Sequence, residues 1–341
     1  MQPIVVGMST PPIPSYVTQR LFGVELEVLI IGSGNYPDAS TIPGWDSQTD
    51  ASIGGGKEYI FKNPTKWAEA LGMVHGLCEK LRAPNKLKLS KSGALHVHVS
   101  AEDFTEVEGA FLANMYQHFR PVIDELVGPS RRGRANHFCI PFDSVVTPEW
   151  VRSSYLNDGP YTRADCKARR NGGAGWFAVS LAYLGAKPRE RSIEFRQGSV
   201  STRSICILGW MQFVAVLTDA AKAGRAFDSY PATLSGLVDY VTAQGNGSET
   251  VSTWLRWRHG FMNTVTPEMV AKIAEAAKTT GIGLNAAAQA ANCSLCAAKR
   301  ALNMGEEQGM VQKVGKRWRS GYRFWAAQDL ADLRAAEEAV A

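Results

Sequence analysis

The sequence predicts an α+β fold: a mostly antiparallel sheet with flanking helices, followed by a small C-terminal winged-helix domain. Three observations predict it. Glu25-Leu26-Glu27, His96-Val97-His98-Val99-Ser100 and Glu194-Phe195-Arg196 alternate polar and apolar residues at strand period. Amphipathic helix patterns separated by Gly/Pro turns interleave with these strands. Beyond residue 263 the order becomes helix, short helix, turn, helix, hairpin, as in a winged helix-turn-helix.

Taken in order, residues 19–31 read as a strand, followed by a Gly/Pro/Asp-rich hairpin region to Trp45. A second strand is expected within Asp50 to Phe61, entered through Gly54-Gly55-Gly56, which reads as a turn because it lacks the strand–loop–helix context of a phosphate loop. Trp67, Leu71, Val74 and Leu81 recur at helical spacing within Asn63–Leu81. His96–Ser100 is a strand, and Glu102–Val127 a longer helix that Pro121 is positioned to bend. Phe177–Leu184 and Arg191–Gln197 read as adjacent antiparallel strands, and Thr202–Lys222 as a strongly apolar helix. Thr266-Pro267-Glu268 starts a helix with an N-cap and a first-position Pro. Leu284–Ala291 and a helix capped by Ser294 follow, then a hairpin formed by Gly309–Val314 and Tyr322–Trp325. These readings divide the chain into an extended lead-in (1–17), a main domain (18–228), a linker (229–262), a winged helix (263–330) and a tail (331–341).

With 341 residues, 45% apolar and 20% charged, the chain has the composition of a soluble protein large enough for two domains. No uninterrupted apolar run reaches membrane-spanning length, so no membrane partner is expected. Met1–Pro14 carries Pro at 3, 11, 12 and 14, with no basic and apolar signal pattern. Cys78, Cys139, Cys166, Cys206, Cys293 and Cys296 follow no framework spacing, which predicts reduced thiols and a cytoplasmic location. Cys293-x-x-Cys296, alone and among alanines, reads as small-residue packing. The net charge is +5, and the stretch Cys293–Trp325, with seven basic and two acidic residues, carries a balance of the same size. A polyanion such as DNA is the expected partner of that segment, through Lys299 and Arg300 on a helix and Lys316, Arg317 and Arg319 in the wing. Protein docking or dimerisation is the alternative use.

Each alternating segment sends its apolar residue to a core and its polar residues to the opposite face. A face bearing so many charges needs a cationic or phosphorylated partner. Glu25, Glu27, Glu58 and Glu194 offer hard oxygen ligands, which favour Mg²⁺ or Mn²⁺, and His96 adds a nitrogen. Arg196 suits a phosphate, and His98 and Ser100 can donate to phosphate or ribose. Taken singly, the segments have blander readings: a solvated acidic edge strand, a structural or zinc-binding His-x-His, a surface ion pair. Arg131, Arg132 and Arg134 read either as contacts for an acidic substrate or as a solvated loop.

Phe22-Gly23-Val24-Glu25-Leu26-Glu27, Asp50-Ala51-Ser52-Ile53 with Glu58 downstream, Leu95 to Ser100 and Ile193-Glu194-Phe195-Arg196 occur in this order. Together they resemble the amidoligase family of the glutamine synthetase / glutamate–cysteine ligase superfamily, over residues 18–225. The region from Pro129-Ser130-Arg131-Arg132 to His137-Phe138-Cys139 resembles the family as well. The resemblance implies a glutamine synthetase-like sheet, ATP and Mg²⁺ (or Mn²⁺) as cofactors, and amide formation through an acyl phosphate. It implies one metal on Glu27 and Glu58, another on Glu25, His96 and Glu194, nucleotide contacts from His98 and Ser100, and a phosphate contact from Arg196. Ser180 departs from the pattern, many members carrying Asn there. The reactants would be a small-molecule or peptide carboxylate and an amine, in a protein free to form oligomers. A DNA-binding regulator with a non-catalytic ligand-sensing domain and a ligase acting on cell-wall or protein peptides are the alternatives.

Overall fold

The computed structural model describes residues 10–29, 35–50, 54–82, 93–133, 138–157, 159–171, 176–263, 267–277, 282–283, 287–288, 290–291, 295–307, 311–313 and 323–326. The chain divides into two compact units, residues 11–256 and residues 257–341 together with 1–10.

The larger unit is built on six antiparallel strands in the order β2-β3-β1-β4-β6-β5. They are β1 (Phe22–Val28), β2 (Trp45–Asp50), β3 (Gly56–Phe61), β4 (Ala94–Ser100), β5 (Val179–Ser180) and β6 (Ser192–Ser199). Helices α1 (Trp67–Arg82), α2 (Glu106–Leu126), α3 (Pro148–Val151), α4 (Arg163–Asn171) and α5 (Ser204–Lys222) punctuate them. Val24 and Leu26, Val97 and Val99, and Ile193 and Phe195 are buried, while the residues between them carry the polar groups. Helix α5 packs on β4 and β6 and meets α1 and α2, which closes the core on that side. By length and apolar composition α5 could cross a membrane, but most of it is buried within the protein, as in a core helix.

Local chemistry explains the boundaries. Gly54 (φ 70°) and Gly55 (φ 89°) adopt the left-handed conformation that glycine favours, and they turn β2 into β3. Residues 45–50 thus form a strand of their own where the sequence reading placed only the end of a hairpin. At the start of α2, Thr105 and Glu108 form a capping box, and the helix runs on through Pro121.

Two readings need correction. Phe177–Leu184 is not a full strand: pairing stops at Ser180 and a 3₁₀ turn covers Ala182–Gly185. There the chain runs so close to Tyr155 that a Cβ on Gly185 would collide with the Tyr155 carbonyl, and the Gly185 carbonyl accepts from Tyr161 N–H (2.8 Å) instead of a neighbouring strand. Residues 229–262 are not a linker. They hold α6 (Leu234–Thr242) and most of α7 (Ser248–Asn263), with Leu237, Tyr240, Val251 and Trp254 buried. The turn formers mark only the tight α6–α7 connection, where Gly245, Asn246 and Gly247 all have positive φ.

In the smaller unit, α8 (Pro267–Ala277) packs against α9 (Leu295–Glu307). Strands β7 (Ile282–Gly283), β8 (Val311–Lys313) and β9 (Arg323–Ala326) form an antiparallel sheet in the order β7-β9-β8. Val270, Ile273, Ala277, Ala297, Leu302 and Val311 belong to its core. Thr266, Cys293 and Ser294 lie outside the described residues.

Candidate metal centre

Strand register assembles the site in three rows across the polar face of the six-stranded sheet. Gln48, Glu58 and Glu27 are neighbours across β2, β3 and β1. Glu25 on β1 stands opposite His96 on β4. Gly23, His98, Glu194 and Ser180 line up across β1, β4, β6 and β5. A bulge joins the second and third rows: Leu95 pairs with Gly198 but Val97 with Phe195, so His96 faces both Arg196 and Gln197. Gly23 leaves room for the His98 ring, since a Cβ there would lie 3.3 Å from His98 Cβ.

The side chains converge. His96 Nδ1 is 3.3 Å from Glu25 Oε2 and 3.9 Å from Glu194 Oε1, and its Nε2 is 3.6 Å from Glu27 Oε1. His98 Nε2 lies 3.3 Å from Glu25 Oε1, while its Nδ1 is 3.2 Å from Ser192 Oγ. Tyr183 meets the His98 ring edge-on at 5.2 Å. Three sets each place their donor atoms within 4.8 Å of one another: Glu25, Glu58 and His96; Glu25, His98 and Glu194; Glu27, Asp50 and Glu58.

The electrostatics follow from crowding and burial. Burial, then the charge of Asp50, pushes the Glu27 carboxyl up to about 7. Burial, then Glu25, raises Glu58. Burial would raise Glu25 too, but hydrogen bonds from His96 and His98 outweigh it and hold that carboxyl well below the usual range. Burial, reinforced by Arg196, lowers His96 to about 4, so its imidazole is neutral and able to ligate. Carboxylates thus outnumber the nearby guanidiniums of Arg196 and Arg131, and the donor set of hard oxygens with two imidazoles fits a divalent cation such as Mg²⁺ or Mn²⁺.

The remaining sequence candidates are placed as follows. Arg196 is buried: its Nη1 is paired with Glu194, its Nε donates to Phe138 O (3.1 Å), and its guanidinium lies over Trp176 at 4.9 Å. Ser100 sits at the end of β4, where its hydroxyl accepts from Leu21 N–H (2.9 Å) beside a cavity of about 580 Å³ also lined by Arg20, Asp103 and Asp219. Lys299 and Arg300 are exposed on α9. Lys316, Arg317 and Arg319 lie outside the described residues.

Sequence reasoning missed Asp50 as a donor. Its signal is the Gln48/Asp50 alternation on β2, a segment to which the sequence reading assigns no strand before Asp50. The solvated-loop reading of Arg131 is corrected, because its side chain is buried with only 3% exposure. Arg132 donates from Nε to Val127 O (2.9 Å), and Arg134 lies outside the described residues.

No curated protein matches the chain. Residues 60–165 match the model of a family described as "Putative amidoligase enzyme". The matched stretch runs from the end of β3 into α4 and includes His96, His98 and Arg131, so over that stretch the chain is similar to a family of amide-forming ligases.

Proposed function

We propose that the protein is an ATP- and Mg²⁺- (or Mn²⁺-) dependent carboxylate–amine ligase with a glutamine synthetase-like catalytic domain. The observation that carries this reading is the meeting of five carboxylates and two imidazoles on one sheet face, within 4.8 Å in three overlapping sets. The family match over residues 60–165 supports it.

In this reading Glu27, Glu58 and Asp50 hold one cation, and Glu25, His96, His98 and Glu194 hold a second. Bound cations would neutralise the triphosphate and the phosphoryl group in transfer. The chain's own side chains do the holding and aiming. Before a cation enters, hydrogen bonds from His96 and His98 keep Glu25 ionised, and a bound cation would take the place of the His98 Nε2 proton. Arg196 fixes Glu194, and Ser192 and Tyr183 orient His98. A substrate carboxylate oxygen attacks the γ-phosphorus and the bond to ADP breaks, giving an acyl phosphate. An amine nitrogen then attacks the acyl carbon, phosphate leaves with the bonding pair, and the nitrogen loses a proton to give the amide. No nucleophilic side chain is needed.

The residue 257–341 unit is read as a winged helix that binds DNA, using Lys299 and Arg300 on α9 and the basic stretch that follows. The catalytic reading is tested by phosphate release from ATP and Mg²⁺ with panels of amino acids, peptides and amines, with and without DNA, followed by mass spectrometry of the products. Amine-dependent phosphate release with an amide product is expected, falling to background in Glu27→Ala and Glu194→Ala. Phosphate release that persists in both variants, or that yields no amide with any pair, would overturn it.

A further inference from the structure

Two buried guanidiniums, Arg196 and Arg131, adjoin the carboxylate cluster, each only 3% exposed. Their hydrogen bonds differ. Arg196 is committed to Glu194, to the Phe138 carbonyl and to the Trp176 ring, so its charge is already matched. Arg131 donates from Nη2 to the Arg196 carbonyl, while its Nε is buried without a partner. Among the described residues no carboxylate forms an ion pair with it, although its charge is felt by Glu27 and Arg196.

A buried guanidinium beside a second one, with an idle donor, is costly unless an anion joins it. The surrounding structure nevertheless holds Arg131 firmly. Its N–H donates to Gly128 O (2.8 Å), and its carbonyl accepts from Gln197 Nε2 (3.1 Å) and Cys139 Sγ (3.7 Å). Gln197, fully buried, also accepts from Tyr116 OH (2.7 Å) and donates to Asp124. Arg120 Nε (2.8 Å) and Gly133 N–H (3.1 Å) in turn donate to Asp124.

We infer that Arg131, not Arg196, is the guanidinium that meets an oxyanion at this site, and that Arg196 is a positioning residue for Glu194. The oxyanion is a phosphoryl group or a carboxylate. This rests on and deepens the ligase reading by naming the contact of its anionic reactant, but it is tested by equilibrium binding, so it survives if no turnover is found.

The experiment measures pyrophosphate and glutarate binding by calorimetry in the presence of Mg²⁺, and Mn²⁺ binding separately, for the full chain and for Arg131→Gln. With the wild-type circular dichroism spectrum retained, Arg131→Gln should lose about tenfold or more in affinity for at least one anion. Loss confined to pyrophosphate assigns a phosphoryl contact, and loss confined to glutarate a carboxylate contact. Mn²⁺ affinity should hold or rise, because a like charge has been removed. If Arg131→Gln fails to fold, Arg131→Lys serves instead: it keeps the charge but not the fork and should still weaken anion binding with Mn²⁺ affinity unchanged. The inference is overturned if the wild type binds neither anion, if the folded variant binds both as well as the wild type does, or if anion and Mn²⁺ affinities fall together, which marks a structural role.

Discussion

Glu27 shows what crowding does to a single side chain. Its carboxyl stands at about 7 in the cation-free protein, against an ordinary value near 4.5, because it is buried and faces Asp50. The folded state therefore holds this proton more tightly than the unfolded chain does. His96, lowered from 6.5 to about 4, makes stability rise with pH between those values. The Glu27 contribution is therefore read as the difference between wild type and Glu27→Gln, which should decline as pH rises from about 4.5 to about 7 and then level off. A cation must displace the same proton, so its affinity should move the opposite way. We expect Mn²⁺ to bind about tenfold more tightly at pH 8 than at pH 6, with Asp50→Asn shifting the profile to lower pH. Calorimetric titrations at several pH values check both, and a pH-independent affinity would contradict the picture. At this scale the sequence was informative about type but not about burial. Glu25, Glu27, His96, His98 and Glu194 could be listed from alternation alone. The buried state of Arg131 could not, since a run of arginines after a helix reads either as a substrate contact or as a solvated loop until its guanidinium is seen donating to the Arg196 carbonyl and its own carbonyl accepting from Gln197.

Between strands, the bulge at His96 is the junction of two rows of donors, and Gly198 permits it. A Cβ on Gly198 would lie 2.5 Å from the Leu95 carbonyl oxygen, a backbone atom that cannot move without shifting β4. Gly209 on α5 is crowded too, but against the Trp254 indole, whose Nε1 would lie 2.0 Å from an added Cβ. The two positions should therefore separate stability from function. Gly209→Ala should cost about 1–3 kcal/mol by urea denaturation, from overpacking alone. Gly198→Ala should in addition weaken Mn²⁺ binding severalfold by displacing His96; equal Mn²⁺ affinities in the two variants would argue against the bulge's role. Elements were legible where period and composition agreed. The i, i+2 pattern gave the strand faces of β1, β4 and β6, and Leu26, Val97 and Phe195 are indeed fully buried. Legibility failed where non-local contacts decide. Phe177–Leu184 has strand composition, yet the close approach to Tyr155 turns it into a 3₁₀ segment. Residues 229–262 look loose in sequence because Gly245-Asn246-Gly247 dominates the eye, while Trp254 anchors α7 by donating to the Ile205 carbonyl (3.0 Å).

Across the whole molecule, acidic and basic functions are placed in different units: the carboxylate cluster in residues 11–256, and the exposed Lys299 and Arg300 in residues 257–341. If the second unit binds DNA, Lys299→Ala with Arg300→Ala should weaken binding about tenfold and flatten its salt dependence, while Glu27→Ala leaves both unchanged. Fluorescence anisotropy at several salt concentrations reads this, and an unaltered salt slope in the double variant would rule out α9 as the contact. The six-stranded order has a kinetic consequence of its own. Glu27, Asp50 and Glu58 all lie within β1–β3, but the set of Glu25, His98 and Glu194 draws on β1, β4 and β6 and is complete only when β6 has joined the sheet. An ion able to recognise only the finished sheet should slow unfolding without hastening refolding, acting as a latch on the last step of assembly.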